Sequence, residues 1–120
     1  MPKFSIIIPV RKINDYVKES ISHIKDLDYQ DYEVFVVTDE KENYDFLDPR
    51  IKVINSGNVG PGEKRNLAAK SSKGDILAFL DDDSYPEKNW LSKAVKIFED
   101  SDIYALGGPA ATPKDAEYLE

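Results

Sequence analysis

The chain has 120 residues, 32% of them charged and 41% hydrophobic, which suits one soluble globular domain with a single core. The formal net charge of -7 argues against a general nucleic-acid binder, because such proteins show a basic face. Cysteine is absent, so disulfides, zinc–thiolate sites and thiol nucleophiles are excluded.

Apolar runs alternate with helix-period stretches along the chain. Continuous apolar runs predict buried strands, apolar residues at helical spacing predict helices, and glycine clusters predict loops. In chain order we predict a strand over Phe4 to Val10, a helix capped by Asn14, strands over Tyr32 to Thr38 and Ile51 to Ile54, a loop over Asn55 to Gly62, a helix over Glu63 to Ser72, a strand over Asp75 to Leu80, a helix with Pro86 in its first position, and a strand over Asp102 to Leu106.

This order of elements is typical of an α/β fold with a mostly parallel sheet. Ligands of such open sheets bind beyond the carboxyl ends of the strands. The segments to consider are therefore the strand exits, which are Pro9 to Lys12, Thr38 and Asp39, Asn55 to Asn58, and Asp81 to Asp83.

Three consecutive carboxylates, Asp81 to Asp83, follow the fourth predicted strand directly. On an extended backbone Asp81 and Asp83 point to one side and Asp82 to the other. Two carboxylates on one side repel, and a bound Mg²⁺, Mn²⁺ or Ca²⁺ would remove that penalty. The alternative is a solvated acidic loop that caps the next helix.

The glycine-rich segment from Asn55 to Asn66 is the second candidate. Its glycines, including Gly60, allow close approach of the backbone, and Lys64 and Arg65 add positive charge at a helix start that could cradle a diphosphate. It matches neither of the two common phosphate-loop fingerprints. An ordinary loop with a solvated helix face is the alternative.

Two further strand exits carry candidate residues. The Asp39 carboxylate could accept hydrogen bonds from a base or ribose, and its alternative is a turn-forming aspartate. The exit of the first strand, Pro9-Val10-Arg11-Lys12, is basic and could meet a nucleotide, with a solvated loop as the alternative.

These motifs in one order resemble the N-terminal, nucleotide-sugar-binding half of a family 2 glycosyltransferase. The resemblance runs from about Lys3 to Pro113 and implies the GT-A fold, a Rossmann-like three-layer sandwich with helices on both faces of a mostly parallel sheet. The three aspartates stand where that family carries its D-x-D motif. We therefore expect a donor-binding domain over residues 1–113 and a polar tail over residues 114–120, whose last two residues resemble a cloning-site remnant.

The resemblance also implies roles for individual residues. Asp83 would coordinate Mn²⁺ or Mg²⁺, with Asp81 on the ribose or in the metal shell and Asp82 beside them. Asp39 would bond the nucleobase and Arg65, with Lys64, would approach the base or the diphosphate. The remaining expected donor contacts are the base-facing wall and its neighbours, namely Pro9, Val10, Arg11 and Gly60.

The chemistry implied is an inverting transfer in which a carboxylate takes the proton of an acceptor hydroxyl and the metal stabilises the leaving diphosphate. A UDP-sugar is the favoured donor, with GDP- and dTDP-sugars as alternatives, and the acceptor is open. No segment here matches the family's catalytic base, so we expect it beyond this chain, and the face it would cover could drive self-association. The N-terminus lacks a secretory-signal layout, and we expect a cytoplasmic location, with peripheral membrane association of the full-length protein as an alternative.

Two other hypotheses for the function remain. A nucleotidyltransferase shares the fold class and the metal, but would carry a glycine-rich loop after the first strand, where Pro9 to Asn14 contains no glycine. The other is a non-catalytic nucleotide-binding or interaction module of flavodoxin-like or response-regulator type. A response regulator would carry its acidic pair after the first strand, whereas here the acidic cluster follows the fourth.

Overall fold

A computed structural model describes residues 2–99 and 105–107 of the chain. The elements in chain order are β1 (Phe4–Pro9), α1 (Asp15–Lys25), β2 (Tyr32–Thr38), β3 (Ile51–Asn55), α2 (Pro61–Ser71), β4 (Ile76–Phe79), α3 (Trp90–Glu99) and β5 (Ala105–Gly107). In the described part of the chain, no helix is long and apolar enough to cross a membrane.

The five described strands form one sheet in the order β3-β2-β1-β4-β5, and every neighbouring pair is parallel. β1 lies at the centre, where Phe4 is level with Tyr32 of β2 and with Ile76 of β4. Because all strands run the same way, their carboxyl ends meet at one edge. The predicted α/β fold is confirmed, and the described sheet is parallel throughout.

Side chains of β1 alternate between two cores, one on each face of the sheet. Phe4, Ile6 and Ile8 pack in the larger core with the apolar faces of α1 and α3, whereas Ile7 packs against Ala68 of α2. All four of these β1 side chains are fully buried, and each contributes about 1.5–3 kcal/mol of hydrophobic stabilisation. The sheet is therefore the middle of three layers.

Helix α3 begins later than the sequence predicts. Pro86 was expected in its first position, but the helix starts at Trp90, and Pro86 is buried in the segment before it. The carbonyl of Lys88 accepts a hydrogen bond from the amide of Asp28 at 2.9 Å, which fixes this segment against the end of α1. The expected helix start at Pro86 is therefore wrong, because a tertiary contact holds the chain out of the helix.

Other boundaries differ by one to three residues. α2 begins at Pro61, with Gly60 as its N-cap, and β4 ends at Phe79. The predicted fifth strand is observed as Ala105–Gly107, and its expected start at Asp102 lies outside the described residues, as does the expected tail over residues 114–120.

A buried polar network closes the amino-terminal edge of the sheet. The Glu33 carboxylate accepts hydrogen bonds from the Ser5 hydroxyl at 2.6 Å and from the Lys73 amide at 2.6 Å. The Gly74 amide donates to the Ser5 hydroxyl at 2.8 Å, and Lys52 lies 3.4 Å from the other Glu33 oxygen. Burial alone would raise the pKa of Glu33, but these hydrogen bonds outweigh it and the pKa lies below its ordinary value.

Gly74 sits too close to β1 for any side chain. A Cβ there would lie 2.7 Å from the Ser5 amide nitrogen and 2.8 Å from the Phe4 carbonyl carbon, both of them backbone atoms. We expect Gly74→Ala to lower the free energy of unfolding by about 1–3 kcal/mol through overpacking, measured by urea titration. Gly62→Ala is the matched control, because a Cβ there meets nothing within 4 Å, and equal losses in both variants would contradict the argument.

Glu33→Gln should lower the free energy of unfolding at pH 7 by about 1–3 kcal/mol, because an amide cannot accept from all of the donors that Glu33 serves. The lowered pKa of Glu33 means that its stabilisation is present above its ordinary value of 4.5 and is lost as the pH falls through its folded value. The difference between wild type and variant should therefore shrink as the pH drops below 4.5. Exposed Glu40→Gln is the control, and a pH-independent difference for Glu33→Gln would contradict the network.

Candidate functional site

Two neighbouring cavities open at the carboxyl edge of the sheet. The first, of about 450 Å³, and the second, of about 700 Å³, share Arg11 and Lys12 in their walls. The first is also lined by Pro9, Val10, Asn14, Val59, Pro61, Lys64 and Asp82, and the second by Asp39, Glu40, Lys41, Glu42 and Asn43. The structure thus brings five predicted site residues to the first cavity and Asp39 to the second.

The exit of β1 is fixed by hydrogen bonds that continue past the strand. The Val10 amide donates to the Val37 carbonyl at 2.9 Å, and the Asp39 amide donates to the Arg11 carbonyl at 3.0 Å. Val10 is buried, whereas the side chains of Arg11 and Lys12 are exposed. The exit therefore offers an apolar wall at its base and two cations at its rim.

Asp39 and Lys64 form an ion pair at this edge. Lys64 Nζ lies 2.5 Å from Asp39 Oδ1 and donates to the Val59 carbonyl at 2.8 Å. The Lys64 side chain is only 3% exposed and that of Asp39 17%. The sequence predicts both as site residues. It does not predict their contact, because they are 25 positions apart.

The glycine-rich loop is held to the exit of β2. Gly57 adopts a left-handed conformation with φ 85°, and its amide donates to the Asp39 carbonyl at 2.9 Å. Gly60 then caps α2, and a Cβ added at Gly60 would meet no described atom within 4 Å. The loop therefore leaves the start of α2 accessible beside the first cavity.

Arg65 follows Lys64 on α2 and leans towards β4. Its guanidinium lies 5.8 Å from the centre of the Phe79 ring, and Nη2 is 3.9 Å from Asp81 Oδ1. Its Nε is buried with no hydrogen-bond partner within the described ranges. The Asp81 side chain is 70% exposed, so this long pair contributes little and Arg65 retains donors for a ligand.

The three aspartates form a turn rather than an extended strand end. β4 stops at Phe79, and the Ser84 amide donates to the Asp81 carbonyl at 3.1 Å. The prediction that the three aspartates alternate in direction along an extended backbone is therefore wrong, because the chain turns at this point. Asp81 and Asp83 are exposed, whereas Asp82 is half-buried in the wall of the first cavity.

Helix α1 holds this acidic turn in place. The Asn14 side chain accepts from the Val17 amide at 2.9 Å as the N-cap, and it donates to Asp82 Oδ2 at 3.2 Å. The Ser20 hydroxyl lies 2.9 Å from each of the backbone carbonyls of Asp82 and Ser84. Sequence reasoning identified Asn14 as a cap but missed its place in the cavity, because its second partner lies 68 positions away.

The acidic turn fits a cation that is shared with a ligand. Within residues 2–99 and 105–107, no three acidic, histidine or cysteine side chains are gathered in a way that could hold a metal alone. Mg²⁺ commonly takes one or two protein carboxylates and completes its shell with water and phosphate oxygens. The exposed Asp83 carboxylate, which has no hydrogen bond or ion pair within the described part, suits such a site.

We expect Asn14→Ala to lower the free energy of unfolding by about 0.5–2 kcal/mol, because the N-cap of α1 is lost. Asn14→Ser should keep the cap and most of the stability but lose the bond to Asp82. Amide hydrogen exchange at Ser84, which reports the turn, should accelerate in both variants. Unchanged exchange at Ser84 would show that Asn14 does not hold the acidic turn.

Comparison with known proteins identifies the family. The model of glycosyl transferase family 2 matches residues 5–118. An uncharacterised glycosyltransferase of Rickettsia bellii is 30% identical over 98% of this chain and 18% of its own length. The poly(ribitol-phosphate) beta-N-acetylglucosaminyltransferase TarS of Staphylococcus aureus is 30% identical over 88% of this chain and 21% of its length. The chain thus spans about a fifth of the length of these relatives.

Solved structures agree with this assignment. The crystal structure of TarS residues 1–349 in complex with UDP-GlcNAc superposes with a TM-score of 0.69 at 28% identity, covering 82% of this chain and 31% of that one. A Pyrobaculum calidifontis mannosyltransferase, in complex with GDP-Man and Mn²⁺, superposes at 0.72 with 22% identity, covering 85% of this chain and 34% of that one. The fold is the Rossmann-like GT-A fold of these enzymes, and the chain belongs to glycosyl transferase family 2.

Proposed function

We propose that the chain binds the nucleoside-diphosphate-sugar donor of an inverting, metal-dependent glycosyltransferase. The first cavity carries the proposal, because an apolar wall, basic side chains and Asp82 of the acidic turn meet there at the carboxyl edge of the sheet. A diphosphate needs cationic donors, and a base needs a flat apolar wall with a few polar groups. The TarS structure, at 28% identity, holds UDP-GlcNAc, which supports a UDP-sugar as the favoured donor, with GDP- and dTDP-sugars as alternatives.

The proposed roles follow the layout of this edge. Pro9 and Val10 form the wall for the base, and Asp39 accepts a hydrogen bond from it. Arg11 and Arg65 supply positive charge for the diphosphate, and the open space beside Gly60 lets it approach the start of α2.

The acidic turn is the proposed site of Mn²⁺ or Mg²⁺. Asp83 would hold the ion, Asp81 the ribose or the metal shell, and Asp82 stays fixed by Asn14 at the cavity wall. When bound, the ion neutralises the diphosphate as it departs. The exposure of Asp81 and Asp83 leaves both carboxylates free to turn towards a ligand.

What we propose about the acceptor and the catalytic base rests on the resemblance to the family alone. We propose that residues 1–113 form the donor-binding half and that the base is supplied from outside this chain, so that the chain binds donor without transferring sugar efficiently. An uncovered face could then lead to self-association. We also propose a cytoplasmic location, with peripheral membrane association of the full-length protein as the alternative, and cell fractionation would distinguish the two.

Calorimetric titration of the chain with UDP should show binding in the micromolar-to-millimolar range that requires Mn²⁺ or Mg²⁺. Asp83→Ala should raise the dissociation constant of UDP at least about tenfold, equivalent to about 1.4 kcal/mol, because the ion loses its protein ligand. Asp31→Ala is the matched control, because this exposed aspartate lies before β2 at the opposite edge of the sheet.

Two results would count against the proposal. One is the absence of metal-dependent binding for UDP, GDP and dTDP alike. The other is an unchanged dissociation constant in Asp83→Ala, which would remove the acidic turn from the site.

A further inference from the structure

Lys64 is a buried cation, and burying an ammonium group is unfavourable unless it is paired and hydrogen-bonded. Its partners are Asp39 Oδ1 at 2.5 Å and the Val59 carbonyl at 2.8 Å. Lys64 lines the first cavity and Asp39 the second, so the pair stands where the two cavities adjoin. The chain therefore places a fixed charge pair at this point in the wall.

Lys64 and Asp39 each have one hydrogen-bonding group that no described residue satisfies. An ammonium group has three N–H donors, of which two are occupied by Asp39 and Val59. A carboxylate has two oxygens, and Asp39 Oδ2 has no hydrogen bond to any residue that the structure describes. The pair thus offers one donor and one acceptor side by side.

The surroundings of Lys64 suit a base better than a diphosphate. The neighbouring wall of the first cavity is apolar and is formed by Pro9, Val10, Val59 and Pro61. The charge of Lys64 is already balanced by Asp39, so it adds little net attraction for a phosphate. Arg65, the next residue, leans instead towards Asp81 and the acidic turn.

We propose that Lys64 is a specificity-determining residue of the base subsite, where it fixes the Asp39 carboxylate and presents its own third N–H to the same base edge. This inference rests on the proposed function and deepens it. Lys64 and Arg65, adjacent on α2, then serve opposite ends of the donor. For a uracil base, Asp39 Oδ2 accepts from the ring N3–H and Lys64 donates to a neighbouring carbonyl oxygen.

The test compares UDP with 3-methyl-UDP, which lacks the ring N–H but has the same diphosphate, in the presence of Mn²⁺. Wild type should bind UDP at least about tenfold more tightly. In Lys64→Met the ratio of the two dissociation constants should fall to within about threefold, because Asp39 is no longer held. Lys70→Met, an exposed lysine on the same helix, should keep the wild-type ratio.

A role of Lys64 in fold stability or diphosphate binding would weaken both ligands equally and leave the ratio unchanged, which would overturn the inference. Binding of UDP with no discrimination by wild type would overturn it as well, while the proposed function would stand. Binding of neither ligand would overturn both.

A second measurement needs no variant and covers the case in which Lys64→Met does not fold. The NMR signal of the Lys64 side-chain ¹³Cε in the wild-type chain should shift on titration with uridine and stay in place with inorganic diphosphate and Mg²⁺. A shift with inorganic diphosphate alone would place Lys64 at the other end of the donor and overturn the inference.

Discussion

The parallel pairing of β1 with β2 on one side and β4 on the other brings the exits of these three strands, and the candidate residues on them, to one edge. Pro9 is level with Val37, and Ile7 is level with Phe79, so three strands end within a few residues of one another. Hydrogen bonds continue this pairing past the strands, from the Val10 amide to Val37 and from the Leu80 amide to Ile7. Because the β1 side chains are buried on both faces, a shift of register would transfer apolar residues to the wrong core.

Three of the four aspartates at the carboxyl edge have a local partner, although the whole chain is acidic. Asp39 faces Lys64, Asp81 lies near Arg65, and Asp82 accepts from the neutral Asn14 amide. An anionic ligand at this edge therefore meets these local groups, including the exposed cations Arg11 and Lys12, rather than the summed charge of -7. Asp83 has no such partner in the described part of the chain, so it is the carboxylate whose charge a cation would most effectively offset.

Patterns within the sequence predicted what depends on local periodicity. The run Tyr32 to Thr38 is apolar and β-branched, and it forms a strand with those bounds because burial on both faces selects such residues. The predicted start of α3 at Pro86 was wrong. The preference of proline for the first position of a helix was overruled by the hydrogen bond between Lys88 and Asp28. The Asp39–Lys64 and Asn14–Asp82 contacts could not be predicted from the sequence, because periodicity carries no information about pairs that are 25 and 68 positions apart.

Polar groups are paired differently at the two edges of the sheet, and this contrast supports the proposed site at the carboxyl edge. At the amino-terminal edge, Glu33, Ser5 and Gly74 satisfy one another, and no ligand is needed to complete their hydrogen bonds. At the carboxyl edge, Arg65 Nε is buried with no partner within the described ranges, and Asp39 uses only one of its two oxygens. A buried polar group without a partner is costly, and a ligand that supplied one would remove that cost. The same backbone that satisfies the polar groups at one edge therefore leaves, at the other, the unpaired groups to which we propose that the donor binds.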